Sequence, residues 1–281
     1  MEGLSAYEKQ ALREIDRFKH PAPTRVGEWW RRVSAPLEQA TSRALDTGPG
    51  TQAVRIVQEV VEVINHGASW TVRRPAVLEA FRAAGHPSIG ELADIAELAL
   101  QDVDRVADLL ATKYQALAVA EGAGSGLLGG VAIAADIGLV VGMALRAANE
   151  YATYYGFDIN APGERIFVIR MLAAASSSDR SERGEALEEL ASLAAELHSA
   201  DGWRQPSTST GKEVTAKLAE ALAVRLLKGK LGQMIPLAGA VVASGYNAWF
   251  VGNVTDLSFQ LYRERFLLRK YGDALLSSLE D

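Results

Sequence analysis

Between Lys230 and Asp256 the chain runs through 25 uncharged residues, LGQMIPLAGAVVASGYNAWFVGNVT, and an upstream stretch from Gly122 to Leu145 carries a single charge, Asp136. Both tracts need protein or lipid around them, and the simplest burial pairs one with the other. The second has the length of a membrane span, for which about 20 predominantly apolar residues suffice. Its quality is poor, because Gln233, Ser244, Asn247, Asn253 and four glycines dilute it and Pro236 restricts helix entry to its vicinity. Asp136 near the middle of the first tract would cost roughly 3 kcal/mol on insertion unless paired. Small residues, Gly129, Gly130, Gly138 and Gly142 in the first tract and Gly239, Ala243 and Gly245 in the second, instead suit close approach of helices. Burial as a core hairpin and reversible docking at a membrane surface both stay open, and a true span is disfavoured.

Elsewhere the apolar period is helical and strand-like alternation is scarce, so the expected fold is all-α, a multi-helix globular bundle with two central glycine-rich apolar hairpins. Three helix starts carry capping boxes, Ser5 with Glu8, Ser88 with Glu91 and Thr210 with Glu213. Val54, Val57, Val61 and Ile64 form one buried stripe on a helix ending near Gly67, and Arg55, Glu59 and Glu62 face water. Leu92, Ile95, Ala99, Val103, Val106 and Leu110 form another, predicting one long helix from Ser88 towards Ala120. From Ser181 to His198, Leu187, Leu190, Ala194 and Leu197 oppose Glu185, Glu188 and Glu189, a solvated face in preference to an acidic binding site. Connections fall at His20 to Thr24, Asp46 to Gly50, His86 to Pro87 and Asp201 to Gly211. The chain reads as one domain over residues 1–281, with 201–211 as its internal junction if it has one.

A weak internal echo links the tracts. Asp136 and Arg146 lead to Tyr155-Gly156-Phe157-Asp158, as Asp256 and Arg265 lead to Tyr271-Gly272-Asp273. Chance would serve as well as two related hairpins.

Function classes narrow by exclusion. With no cysteine in 281 residues there is neither a disulfide nor a thiolate ligand or nucleophile. The start, MEGLSAYEKQALREIDRFKH, lacks the apolar run of a secretory signal, so the expected location is cytoplasmic, or peripheral at the inner face of the cell membrane. Six excess negative charges argue against nucleic acid as a partner. The four histidines, His20, His66, His86 and His198, are scattered, and no spacing suggests a metal site. Gly124, Gly126 and Gly129 fit GxGxxG, but a helical segment precedes them where a dinucleotide site needs a strand. Thr208 to Lys212 is not a P-loop, since Glu213 follows the lysine and Pro206 replaces the first glycine. Asp158-Ile159-Asn160 begins like a calcium loop and fails at Pro162, which leaves helix capping. No cofactor, metal or catalytic residue is therefore assigned.

The selective candidates are polar groups within or beside the tracts. If Asp136, Asn247 and Asp256 are buried, each must be paired, and Arg146 or Arg265 could supply the counter-charge. For membrane or ligand contact the candidates are Trp249 and Phe250 with the flanking bases Arg225, Lys228 and Lys230; Arg263, Arg265, Arg269 and Lys270 follow the tract. Cations closing a helix near Lys230 would complement its dipole equally well.

At these residues the chain resembles the EcsC family. The resemblance rests on Glu121-Gly122-Ala123 through Gly129-Gly130, Asp136-Ile137, Tyr155-Gly156-Phe157-Asp158, and Gly232-Gln233 with Ile235-Pro236-Leu237-Ala238-Gly239. Asn247 and the ending from Arg265-Phe266-Leu267 to Lys270-Tyr271-Gly272 continue it, and with the opening Tyr7-Glu8 it spans essentially the whole chain. Gly138 departs from it, standing where a proline often follows the aspartate step. The resemblance implies a bacterial helical protein, sometimes membrane-associated, from a family named after a locus that also encodes an ABC transporter, and brings no catalytic residues to transfer. The resulting expectation is a non-enzymatic protein docking reversibly on an anionic membrane or a membrane protein. The alternative is a soluble carrier or sensor of an apolar ligand, with Asp136 or Asn247 orienting a polar group inside a helical cavity. A hydrolase or transferase would need a solvent-accessible cleft joining Asp136, Arg146 and Asp256.

Overall fold

Local capping starts the fold as the sequence predicts. In the computed structural model, which describes residues 3–20, 48–65, 72–124, 130–177, 179–198, 216–227 and 245–272, helix α1 spans Ala6–Lys19. The Glu8 backbone N–H donates to Ser5 Oγ (3.2 Å) and the Ser5 N–H to Glu8 Oε2 (2.8 Å), so two orphan donors of the first turn are satisfied reciprocally. Ala11, Leu12 and Ile15 form its buried face.

Helix α2 (Gly48–Asn65) starts inside the connection expected at 46–50 and buries Ala53 and Val57. Helix α3 (Arg74–Ala83) follows, with proline in its first turn, and closes at Gly85. The single helix expected from Ser88 is corrected to three pieces: a 3-10 turn at Leu92–Glu97, α4 (Leu100–Ala107) and α5 (Leu109–Gly124). The Asp94 carboxylate accepts from the Gly90 and Glu91 N–H groups at 2.7 and 2.8 Å, moving the cap from Ser88 to Glu91. Extended backbone at Leu98 and Ala99 then breaks the helix. Ile95, Val103 and Leu110 are buried all the same, because the apolar period fixes the face even where the backbone interrupts it.

The long helices are α6 (Gly130–Tyr154) and α10 (Gly245–Tyr271); between them lie α7 (Pro162–Ser176), α8 (Arg180–His198) and α9 (216–227). No strand occurs among the described residues. The Thr210 capping box, the junction at 201–211, Pro236 and the turns at 21–24 and Gly67 lie outside them.

Helix α10 organises the rest. Lys270 donates to the Leu98 carbonyl (2.8 Å) and Arg263 pairs with Asp104, so α4 and α5 run antiparallel to it. Asn247 meets Asp136, and the Tyr151 and Phe259 rings lie 6.4 Å apart, so α6 runs parallel to it. Helix α7 returns antiparallel, from Glu164 beside Tyr262 to the Ala175 carbonyl, which accepts from Asn253 Nδ2 at 3.2 Å. Helix α8 covers α7, and α2 lies on α6 where Gly138 has no room for a side chain: a Cβ there would stand 2.5 Å from Ile56 Cγ2. One apolar cluster runs through these contacts, including Phe81, Tyr151, Phe167, Phe250 and Phe266.

Candidate functional site

Two buried polar centres line the carboxyl-terminal half of α10. In the first, Asp104 of α4 accepts from Tyr7 Oη of α1 and Tyr155 Oη at the end of α6, both at 2.7 Å. Arg263 Nε stands 2.9 Å from the same carboxylate without hydrogen-bond alignment, a coulombic contact, while its Nη1 donates to Glu14 at 3.0 Å. Burial pushes the Asp104 carboxyl above its usual range despite Arg263 and the two tyrosines. Burial likewise raises Tyr155 far above an ordinary phenol and Tyr7 to about 12, so both act as hydrogen-bond donors.

The second centre is Glu164, fully buried in the first turn of α7. Its Oε1 accepts from Tyr262 Oη (2.5 Å) and Arg265 Nη1 (2.7 Å). The Arg265 guanidinium lies over both the Phe157 and Phe167 rings, 4.3 and 4.2 Å from their centroids. Beyond it, Arg269 donates to the carbonyls of Tyr155 (2.7 Å) and Gly156 (2.8 Å), closing the carboxyl end of α6. Gly156 makes this possible: its φ is +76°, and a Cβ would stand 2.7 Å from the Leu92 carbonyl oxygen. Burial draws Arg269 down to about 10, still charged at neutral pH. These groups are enclosed and tied to one another, an arrangement that holds helices together and presents no nucleophile to solvent. Among the described residues no group of three His, Cys, Asp or Glu could hold a metal ion.

At the opposite end of α10 the two tracts meet. Asn247 Nδ2 donates to Asp136 Oδ1 at 3.2 Å, and both residues are buried. Gly138 and Gly142 are buried along α6, Gly130 begins that helix and Gly245 begins α10. Gly129, Gly239, Lys228 and Lys230 lie outside the described residues.

The remaining expected pairings are corrected. Arg146 is exposed and interacts with Tyr114, beside Glu150, one helical face away from Asp136. Asp256 is exposed, but the protein around it desolvates its carboxyl and raises it, and Arg183 pulls it partly back. Arg265 serves Glu164. Phe250 is enclosed in the core, because on α10 it falls on the face carrying Val254 and Leu257. Arg225 donates to the Ala173 carbonyl (3.0 Å) and Glu182 (3.2 Å), and Lys270, Arg263 and Arg269 are engaged as above, so these cations close helices and pair carboxylates. Asp158 accepts from the Asn160 N–H and from Arg74, forming a turn ahead of α7 whose cap residue is Ala161.

The described residues near the tract end, and the outer face of α5 leading to it, expose several apolar side chains. Helix α5 holds Leu110, Tyr114 and Ala118 against the bundle, while Leu109, Thr112, Ala116 and Val119 look outward. Leu109 is 75% exposed, Val119 57%, Leu117 47%, Leu139 on α6 55% and Trp249 38%. Since α5 is antiparallel to α6 and α10, Leu117, Val119, Leu139 and Trp249 share one end of the bundle. Large apolar side chains are ordinarily buried; these lie on the outside of the bundle. No described helix is long and apolar enough to cross a membrane.

Asp104 and Glu164 escaped the sequence reading although a signal existed. Asp104 follows Leu100 by four residues and Glu164 precedes Val168 by four, so both carboxylates fall on the buried period.

A family model described as the EcsC protein family matches residues 9–267. The chain is 24% identical over 274 residues to the Bacillus subtilis (strain 168) protein YdbA, described as uncharacterized, covering 93% of each. It is 32% identical over 96 residues to Protein EcsC of the same organism, covering 34% of this chain and 41% of that one. No solved structure matches.

Proposed function

The chain belongs to the EcsC protein family, and from that premise we propose that it is a non-enzymatic protein that docks reversibly on a membrane surface or membrane-bound partner through the end of the bundle where its two glycine-rich tracts meet. The observation that carries this reading is the outward apolar face of α5, with Leu139 and Trp249 at the same end. Leaving such side chains in water is unfavourable by about 1.5–3 kcal/mol for each that could be fully buried. Several partly exposed ones together supply a reversible association, well short of permanent insertion.

The enclosed position of Phe250 moves the anchoring role from the Trp249 and Phe250 pair to Trp249 with Leu117, Val119 and Leu139. The carrier alternative has less support. A groove of about 500 Å³ runs along α8, lined by Glu185, Glu188, Glu189 and Glu196 with Arg170 and Leu193, and that lining suits water better than an apolar ligand.

Flotation of the purified protein with phospholipid vesicles tests the proposal. The wild type is expected to float, and a Leu117→Asp plus Val119→Asp variant with an unchanged circular dichroism melt is expected to remain in the dense fraction. A wild type that stays down with neutral and anionic vesicles alike would end this reading.

A further inference from the structure

We infer that α1 is a releasable strap: it lifts from the bundle as a unit while the other helices stay packed, and its lifting opens the buried Asp104 and Arg263 pair to solvent. The first argument is how α1 is held. Of its apolar residues only Ala11, Leu12 and Ile15 are buried, whereas α10 buries apolar side chains from Phe250 to Leu268. It packs on α4 and α10, and Arg183 of α8 lies over its Phe18 ring, 5.5 Å from the centroid. Its other ties are polar. Tyr7 Oη donates to Asp104 at 2.7 Å, Tyr271 Oη to Glu8 at 3.0 Å, Arg263 Nη1 to Glu14 at 3.0 Å and Lys19 Nζ to Glu264 at 2.5 Å. Each such bond contributes modestly to the folded state, because water replaces it when it parts.

The second argument is what stays behind. Asp104 keeps Tyr155 Oη at 2.7 Å and Arg263 Nε at 2.9 Å. Arg263 also donates to Gln260 Oε1 at 3.3 Å, and its guanidinium lies 4.6 Å from the Phe259 centroid. Lys270 keeps the Leu98 carbonyl, while Tyr271 and Glu264 are partly exposed already. Opening is costly where it leaves a buried charge alone, and none of these partners is left so. Helix α7 differs, since lifting it would part Glu164 from both Tyr262 and Arg265. Tyr7 is the cover itself: its hydroxyl bonds Asp104 and its ring centroid lies 6.0 Å from the Arg263 guanidinium. With α1 in place Asp104 is 5% exposed and Arg263 2%. The lifted form is a minor one at neutral pH, of the kind that exchange and labelling detect.

Native-state hydrogen exchange of the full chain in low denaturant, read by mass spectrometry, tests the strap. Amides of α1 are expected to exchange with a shallow denaturant slope, and those from Val254 to Leu268 with the slope of global unfolding. Labelling of carboxylates at neutral pH with a carbodiimide and glycine ethyl ester reads the uncovering. Asp104 is expected to take the label severalfold faster than Glu164, whose hydrogen-bond partners Tyr262 and Arg265 both lie on α10. Tyr7→Phe plus Glu14→Gln should speed α1 exchange and Asp104 labelling roughly tenfold, the weight of about one hydrogen bond, with α10 unchanged. Bridging Lys19→Cys to Glu264→Cys with a bis-maleimide, in a chain with no other cysteine, should bring Asp104 down to the Glu164 rate. The inference is overturned if α1 shares the slope of α10, if Asp104 labels no faster than Glu164, or if the bridged chain labels as fast as the free one. The wild type and the bridged chain decide this even where the double variant does not fold.

Discussion

Glu164 illustrates how much one buried charge depends on its partners. Its carboxylate is fully enclosed and is held by Tyr262 and Arg265, and the Arg265 guanidinium is in turn held by two phenyl rings. A buried pair of this kind contributes little over an apolar substitute, but breaking it strands a charge. Glu164→Gln is therefore expected to cost about 3–5 kcal/mol, and Glu164→Leu combined with Arg265→Met much less, read as shifts in the urea midpoint at constant slope. If the glutamine variant is no less stable than the apolar double variant, the pairing argument fails. Position on the helical period marks Glu164 as inward-facing, but Tyr262 lies 98 residues away in sequence, and only the fold brings it near. The same limit applies to Asp256 and Arg146, which read as buried candidates and are exposed, Asp256 beside Arg183 of α8 and Arg146 beside Tyr114 of α5.

At the scale of elements, α1 and α5 differ in how they are held. Helix α1 buries Ala11, Leu12 and Ile15, and polar links fasten its length: Tyr7 to Asp104, Glu8 to Tyr271, Glu14 to Arg263 and Lys19 to Glu264. Burial disfavours the charged form of Glu14, yet hydrogen bonds from Gln10 and Arg263 hold its carboxyl below the usual 4.5. A carboxyl lowered by folding adds stability above its ordinary pKa and loses it as pH falls through the lowered value. Asp104, raised by burial, works in the opposite sense, since its protonation relieves a cost of folding. Loosening of α1 is thus expected only below pH about 4.5, the usual Glu range. A spin label on Arg13→Cys, in a chain with no other cysteine, should become mobile there, and Glu14→Gln should show part of that mobility at neutral pH. Mobility independent of both would dismiss the polar fastening. The Ser5 and Glu8 box that starts α1 was legible because it is closed within four residues, whereas the break at Leu98 and Ala99 was not, since Lys270 fixes the Leu98 carbonyl from the far end of the chain.

For the molecule as a whole, α10 is the common wall: α1, α4, α5, α6, α7 and α8 all pack on it, and its side chains close the carboxyl ends of neighbouring helices through the Ala175, Leu98, Tyr155 and Gly156 carbonyls. Removing it would open every neighbour at once, so amides from Val254 to Leu268 are expected to exchange only by global unfolding, with protection that falls along the same denaturant slope as the equilibrium transition. Exchange of that stretch insensitive to denaturant would contradict this. The echo between the tracts survives at one point: a Tyr-Gly pair with a left-handed glycine closes both α6 (Tyr155-Gly156, φ 76°) and α10 (Tyr271-Gly272, φ 58°), while their aspartates and arginines occupy unrelated surroundings. By itself the amino-acid sequence determined the helical class, the inward faces and the local caps, because each depends on residues within a few turns of one another. It also disfavoured a membrane span for the tracts, since their glycines and amides dilute the hydrophobicity. Only the tertiary structure decided which charges pair, that Phe250 points inward, and that the apolar face of α5 stays outside. Those outcomes depend on which helix lies across a given face, and that is set by contacts between residues far apart in the chain.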